Sequence, residues 1–219
     1  MTRKPLVYCS VFTALAFMVG LLTLYGIARA AAATENSGAI AFLVVDPSDG
    51  SLFKAGGHTL DQSRDGGNNW NSVPLPSGFG VDHPIKSVAI PVGGNGKIYL
   101  TGIGKGVFRT TDRGVNWERL TKGLPIQGNL TLAAHATLPG TLYAVAAGKS
   151  IYRSQNSGTS WQLMDDGPGA ISHLIHTNMK GSMQTGWLFA GTSEGVQRGM
   201  DCFCLWRRAG DLKGNTNEH

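Results

Sequence analysis

The sequence predicts an all-β domain made of four copies of one four-stranded unit, carried behind a single N-terminal apolar segment. Three observations predict it. The first is the stretch Gly106–Leu120, GVFRTTDRGVNWERL, in which Thr110, Asp112, Gly114 and Trp117 punctuate a short loop between two apolar-polar runs. An Asp/Gly loop between two such runs is a hairpin signal. The carboxylate accepts backbone N–H groups of the turn, glycine takes a positive φ, and the Trp must lie on something apolar. The second is recurrence. Ser63, Asp65, Gly67 and Trp70 repeat the spacing in full, Ser154, Asn156, Gly158 and Trp161 repeat it with Asn for Asp, and Gly199–Trp206 keeps Asp201 and Trp206 alone. The third is register. The Trp-to-Trp steps are 47, 44 and 45 residues, and Phe53, Tyr99, Tyr143 and Phe189 precede their Trp by 17, 18, 18 and 17. A fixed period of this size marks a repeat architecture with one supersecondary unit per repeat.

Taken in chain order, Arg3 and Lys4 lie in a four-residue N-terminus that precedes Pro5–Ala28, which is 24 residues without a charge. That length crosses a hydrocarbon core of roughly 30 Å as a helix. The basic pair before it predicts a cytoplasmic N-terminus and an outward-facing remainder. A cleaved signal peptide is the competing reading, since Ala28-Arg29-Ala30 offers small residues to a peptidase. The apolar run exceeds the usual signal core of about 7–15 residues, so an uncleaved transmembrane helix is the expectation. Cys9 falls inside that run and reads as a small membrane residue. Residues 29–38 read as a linker.

The repeats then occupy 39–211, followed by a polar tail at 212–219. In the first unit Ala39–Val45 is wholly apolar and predicts a strand buried on both faces. Asp46–Gly50 is a turn. Strands Ser51–Ala55, His58–Gln62 and Trp70–Val73 complete the unit. The second unit reads Ser87–Pro91, Lys97–Thr101, Val107–Thr110 and Asn116–Leu120. The third reads Leu130–Ala136, Thr141–Ala146, Ser150–Arg153 and Ser160–Met164. The fourth reads Ile171–Thr177, Trp187–Ala190, Gly195–Arg198 and Leu205–Arg208. The aromatic in each second strand predicts packing between units rather than a ligand platform, because repeats bury their faces on neighbours. Four such units make a small β-propeller, at the lower end of the usual 4 to 8 blades. Neither end carries a spare strand. The ring therefore closes by side-chain packing, or it remains an incomplete arc whose edge a partner covers.

The S-x-D-x-G-x-x-W pattern resembles the Asp-box, or BNR repeat, of β-propellers such as sialidases, sortilin-type domains and Ycf48-like photosystem assembly factors. The resemblance covers four units. It implies a propeller with structural boxes at the outer rim of each blade, formed here by Ser63, Asp65, Gly67, Trp70, Thr110, Asp112, Gly114, Trp117, Ser154, Asn156, Gly158, Trp161, Asp201 and Trp206. The box specifies fold far better than function.

Composition narrows the chemistry. With 31 Gly and only 15% charged residues the chain suits tight-turned β structure. The net charge of +5 falls to about +3 once Arg3, Lys4, Arg29 and Glu35 are set aside, which is too mild for nucleic acid. Gly102–Gly106 resembles a phosphate loop, but a strand follows it where a helix is needed. His173 and His176 stand three apart, so a strand points them to opposite faces. His58, His83 and His135 are isolated in sequence, and no metal site is expected. Cys202 and Cys204 lack zinc spacing and read as two packed thiols, with oxidation to each other or to a partner chain as the alternative. No paired carboxylates, nucleophile elbow or metalloprotease motif is present, and the sialidase residue set has no match.

The expectation is thus a non-enzymatic, cofactor-free accessory subunit. The resemblance to Ycf48-like factors, with the anchor, implies binding and stabilisation of a larger membrane complex, photosynthetic or otherwise energy-converting, from the periplasmic side of the inner membrane. Its partners would be subunits of that complex, with no nucleic acid and no small-molecule substrate. The alternative is a tethered or secreted carbohydrate-binding or sialidase-like propeller.

Overall fold

The computed structural model describes residues 42–125, 127–180 and 186–210. The expected transmembrane helix at 5–28, the linker, residues 39–41 of the first strand and the tail lie outside them. Among the described residues the chain is all β, and no helix is long and apolar enough to cross a membrane.

Sixteen strands form four antiparallel meanders, each in sequence order. Blade 1 comprises β1 (Phe42–Val45), β2 (Leu52–Gly56), β3 (Thr59–Ser63) and β4 (Asn71–Ser72). Blade 2 comprises β5 (Ile85–Ala89), β6 (Ile98–Gly102), β7 (Gly106–Thr110) and β8 (Glu118–Leu120). Blade 3 comprises β9 (Leu130–Ala134), β10 (Leu142–Ala146), β11 (Ser150–Ser154) and β12 (Gln162–Asp165). Blade 4 comprises β13 (Ile171–Thr177), β14 (Trp187–Thr192), β15 (Gly195–Met200) and β16 (Trp206–Arg208). This is a four-bladed propeller architecture. The short outermost strands follow from the box turns, whose residues leave the ladder to hydrogen-bond themselves.

Three apolar clusters hold the blades together, each between sequence neighbours. Phe53, Ala55 and Leu60 of blade 1 pack with Ile85, Val88, Ile98 and Leu100 of blade 2. Tyr99 and Leu120 of blade 2 pack with Leu130, Leu142 and Trp161 of blade 3. Tyr143 and Ile151 of blade 3 pack with Leu174, Leu188 and Ala190 of blade 4. Buried polar ties add direction: Thr101 Oγ1 donates to the Leu130 carbonyl at 2.7 Å, and the Leu132 N–H donates to Ser87 Oγ at 2.9 Å. Among the described residues no cluster joins blade 4 to blade 1.

Two aromatics per blade share this work in opposite directions. The second-strand aromatic faces the following blade and the box Trp faces the preceding one. Thus Phe53, Tyr99 and Tyr143 are fully buried, while Phe189 is half-buried. Trp117 Nε1 donates to the Pro74 carbonyl of blade 1, and Trp206 Nε1 to Asp165 of blade 3. Trp70 Nε1 donates instead to the Gly67 carbonyl of its own turn.

One sequence expectation is corrected here. The first strand is not buried on both faces: Leu43 is 64% and Val45 54% exposed, while Phe42 and Val44 pack inward. An unbroken apolar run does not distinguish a strand covered on both sides from one whose second face meets no neighbouring blade.

Candidate functional site

Three places can carry function: the groove along the inner strands, the box turns, and a cluster of ionisable side chains between blades 3 and 4.

The innermost strands β1, β5, β9 and β13 line one groove of about 600 Å³. Its walls are mainly Val, Leu, Ile and Ala, with Ser87, Thr131, His173 and His176 as the polar groups. Among the described residues no carboxylate lines it. An apolar cleft with sparse, mostly hydroxyl and imidazole hydrogen-bonding groups suits an extended apolar segment better than a charged substrate. Glycoside hydrolysis needs a pair of carboxylates flanking the scissile bond, and the groove supplies none.

Each box turn closes on itself. Ser63 Oγ accepts the Gly67 N–H at 2.8 Å and donates to Asp65 Oδ1, which accepts the Asn69 N–H at 2.9 Å. Thr110, Asp112, Gly114 and Asn116 repeat the pattern, with the Gly114 N–H on Thr110 Oγ1 at 2.9 Å and the Asn116 N–H on Asp112 at 2.8 Å. In the third box Asn156 Oδ1 takes the carboxylate's place, accepting the Ser160 N–H at 2.9 Å, while Ser154 Oγ accepts from Gly158. The N–H donors of Asn69 and Asn116 hold the Asp65 and Asp112 carboxyls down to about 2, below the usual carboxylate range. These polar groups hydrogen-bond within their own turns, which fixes the geometry of each hairpin. The residue before the Trp is part of the closure, since Asn69 and Asn116 side chains also donate to the Asp carboxylates at 2.7 Å. Sequence reasoning passed over it, although the Asn-Trp pair occurs in both well-formed boxes.

The fourth box departs. Asp201 Oδ2 faces Tyr143 Oη at 3.4 Å, His135 Nε2 at 3.7 Å and His176 Nε2 at 3.8 Å. The two imidazoles stack with centroids 3.7 Å apart, and both are buried. His135, isolated in sequence, is therefore a neighbour of His176 in space. His135 directly follows β9 and β13 runs beside it, a proximity that sequence separation hides. His173, three residues from His176, is exposed on the other face of β13.

Two histidines and a carboxylate within 4.8 Å of one another invite a metal reading, and hydrogen bonding argues against it. His135 Nδ1 accepts the N–H groups of Thr137 and Leu138, and His176 Nδ1 accepts that of Ala136, all at 3.1 Å. A neutral imidazole with an accepting Nδ1 carries its proton on Nε2. Both rings thus turn N–H donors, not lone pairs, toward Asp201. A ligating histidine needs the reverse, a free Nε2 lone pair and a donating Nδ1. Burial lowers the pKa of His176 to about 4, assisted by His135 and opposed by Asp201. Burial also lowers that of His135. The cluster is a stacked pair of neutral imidazoles whose buried Nε2 atoms face the Asp201 carboxylate at 3.7 and 3.8 Å without hydrogen-bonding it.

Cys202 and Cys204 are bonded to each other as a disulfide. The packed-thiol expectation is corrected: the turn brings the two sulfurs together.

The family model described as "Photosynthesis system II assembly factor YCF48" matches residues 31–186, well over half of the chain. The solved structure "YCF48 bound to D1 peptide" is 21% identical with a TM-score of 0.55, over 77% of this chain and 55% of that one. YCF48 from Cyanidioschyzon merolae is 17% identical with a TM-score of 0.51, over 75% and 54%. An ancestral GH74 enzyme is 18% identical with a TM-score of 0.58, over 80% of this chain and 24% of that one. At these identities the structural likeness speaks to fold alone. The chain spans about half the length of the two YCF48 structures. Comparison with curated proteins gives no match.

Proposed function

This chain belongs to the YCF48 family of photosystem II assembly factors, and from that premise we propose that it is a non-enzymatic, membrane-anchored accessory subunit. It binds and stabilises a larger photosynthetic or other energy-converting complex from the periplasmic face, holding an extended apolar segment of one subunit in the groove. The observation that carries this reading is the groove itself, lined by the four inner strands and free of carboxylates. One solved YCF48 carries a D1 peptide, which supports a core-subunit segment as the occupant here. Pro5–Ala28, as a retained span, would keep the propeller at millimolar effective concentration near such a complex.

Similarity to a GH74 enzyme favours a second reading, a tethered glycan-binding or glycan-cleaving propeller. The two separate in one experiment. The full chain in mild detergent is titrated with fluorescent peptides tiling the extracytoplasmic segments of a D1-type core subunit, and in parallel with a glycan array. Saturable peptide binding that is lost in Thr131→Arg, which fills the groove, is the expected result. Glycan binding without peptide binding overturns the assembly reading.

A further inference from the structure

The fourth box turn differs from the other three in how it is closed. Ser63, Thr110 and Ser154 close their turns by accepting a backbone N–H, with no covalent bond. Cys202 and Cys204 close theirs as a disulfide across a single residue, Phe203. A bridge this short does little as a staple, because the stabilisation from a disulfide grows with the length of chain it closes. The hairpin shape itself forms three times without one.

Phe203 makes the bond easier to open. Counted from the box Trp, it holds the place of Gly114 and Gly158, and it shares their left-handed backbone at φ +59°. A bulky residue is an outlier in that region and persists only where its surroundings hold it. Two constraints hold Phe203. Its ring meets Tyr143 with centroids 6.1 Å apart, and the disulfide joins the residues on either side of it. Reduction removes the second constraint and lets the strain relax, which makes the pair an oxidant.

Access is a property of position in the box. Cys204 stands where blade 2 has Val115 and blade 3 has Thr159. Val115 is 73% exposed and Thr159 is exposed, although a blade packs on each side of theirs. This position faces solvent whatever lies beside its blade, and Cys204 is exposed in the same way. Cys202 stands at the place of Arg113 and Ser157, which are half-buried. Cys204 is therefore the sulfur that an incoming thiolate meets. Arg207 lines the same recess as Cys204, and its guanidinium attracts that anion.

We propose that the Cys202–Cys204 disulfide is a thiol–disulfide exchange site that oxidises a pair of cysteine thiols in a protein partner. One partner thiolate attacks Cys204 Sγ, the Cys202–Cys204 bond breaks, and Cys202 leaves as a thiolate. The partner's second thiolate attacks its own sulfur in the mixed disulfide, and Cys204 leaves as a thiolate. Two electrons pass from the partner to this chain, one disulfide replaces another, and the two protons given up by the partner end on Cys202 and Cys204.

The full chain carrying Cys9→Ser, which leaves Cys202 and Cys204 as its only cysteines, is the reagent for the test. In mild detergent it is incubated with reduced glutathione and quenched with iodoacetamide. The expected product carries glutathione on Cys204 and the alkyl group on Cys202, and the reduced chain keeps its circular dichroism. A bond that opens only in denaturant, or a chain that unfolds when it opens, overturns the proposal, because the bond is then structural. Glutathione on Cys202 alone overturns the role given to Cys204. A reduced peptide with a pair of cysteines, added in equal amount, should be recovered as its disulfide; a peptide that stays reduced overturns the oxidant reading. Arg207→Glu should slow the attack by glutathione at least about threefold, and an unchanged rate removes Arg207 from the site. Phe203→Gly relaxes the backbone and should lower the equilibrium constant for reduction at least about fivefold. An unchanged constant would overturn the account of why the bond opens.

Discussion

Gly114→Ala tests how the boxes position the blades. Gly114 has φ +95°, and a Cβ there would meet Val73 Cγ1 at 2.5 Å and the Pro74 carbonyl oxygen at 2.9 Å, both in the preceding blade. Two costs add. A side chain in left-handed backbone costs roughly 1–2 kcal/mol, and overpacking a filled contact costs roughly 1–3 kcal/mol more. Gly104, in the β6–β7 hairpin, isolates the first cost: its φ is +64° and a Cβ would meet nothing within 4 Å. The expected destabilisation is therefore about 1–2 kcal/mol for Gly104→Ala and about 2–5 kcal/mol for Gly114→Ala. Urea unfolding of the full chain in detergent, with linear extrapolation, measures both. In a Val73→Ala background the excess at Gly114 should shrink by about 1 kcal/mol or more, because the nearer clash is removed while the carbonyl remains. Equal losses for the two glycines, or no coupling to Val73, would refute the claim that the box glycine is fixed by the neighbouring blade.

Two predictions concern pH. The folded-state pKa values of Asp65 and Asp112, about 2 against an ordinary 3.8, mean that their turns contribute stability above pH 4 that is lost as pH falls toward 2. Replacing both with Asn, the residue the third box already uses, should flatten the acid limb of a thermal-stability profile, and an unchanged limb would refute the assignment. His176 has the opposite chemistry and the same sign. Its folded pKa of about 4 lies below the ordinary 6.5, so the unfolded chain binds a proton that the folded one refuses, and stability falls between pH 6.5 and 4 by on the order of 2–3 kcal/mol. His176→Asn keeps an acceptor for the Ala136 N–H and should remove most of that slope; a slope as steep as in the parent would show that other groups cause it.

The sequence carried the strands well because two periodicities agree. Alternation fixes each strand's faces, and the 44–47 residue step between Trps fixes the units. The box geometry was legible for a local reason: its hydrogen bonds run between residues at most four apart, so spacing alone records them. What lay out of reach was contact across blades. His135 and His176 meet from 41 residues apart, and Tyr143 reaches Asp201 across 58. No local pattern encodes those meetings. The same limit explains β1. Its apolar run records that something covers Phe42 and Val44, but which of its two faces packs inward is not written in an unbroken apolar run.

The degeneracy of the fourth box follows from its place. In the other boxes a hydroxyl, Ser63, Thr110 or Ser154, closes the turn. Gly199 holds that position in blade 4, where a Cβ would come within 3.1 Å of the Trp206 ring. The ring crowds that position, which suits the smaller glycine over a hydroxyl residue. Asp201 points instead to Tyr143 and the two histidines of the blade 3–blade 4 contact. The disulfide between Cys202 and Cys204 covalently closes the chain there, and Phe203 takes the positive φ and packs on the shared cluster. The carboxylate that in blades 1 and 2 holds a turn is thus used in blade 4 to hold a neighbour. Loss of the consensus at this position is a change of task for Asp201, not decay of the repeat.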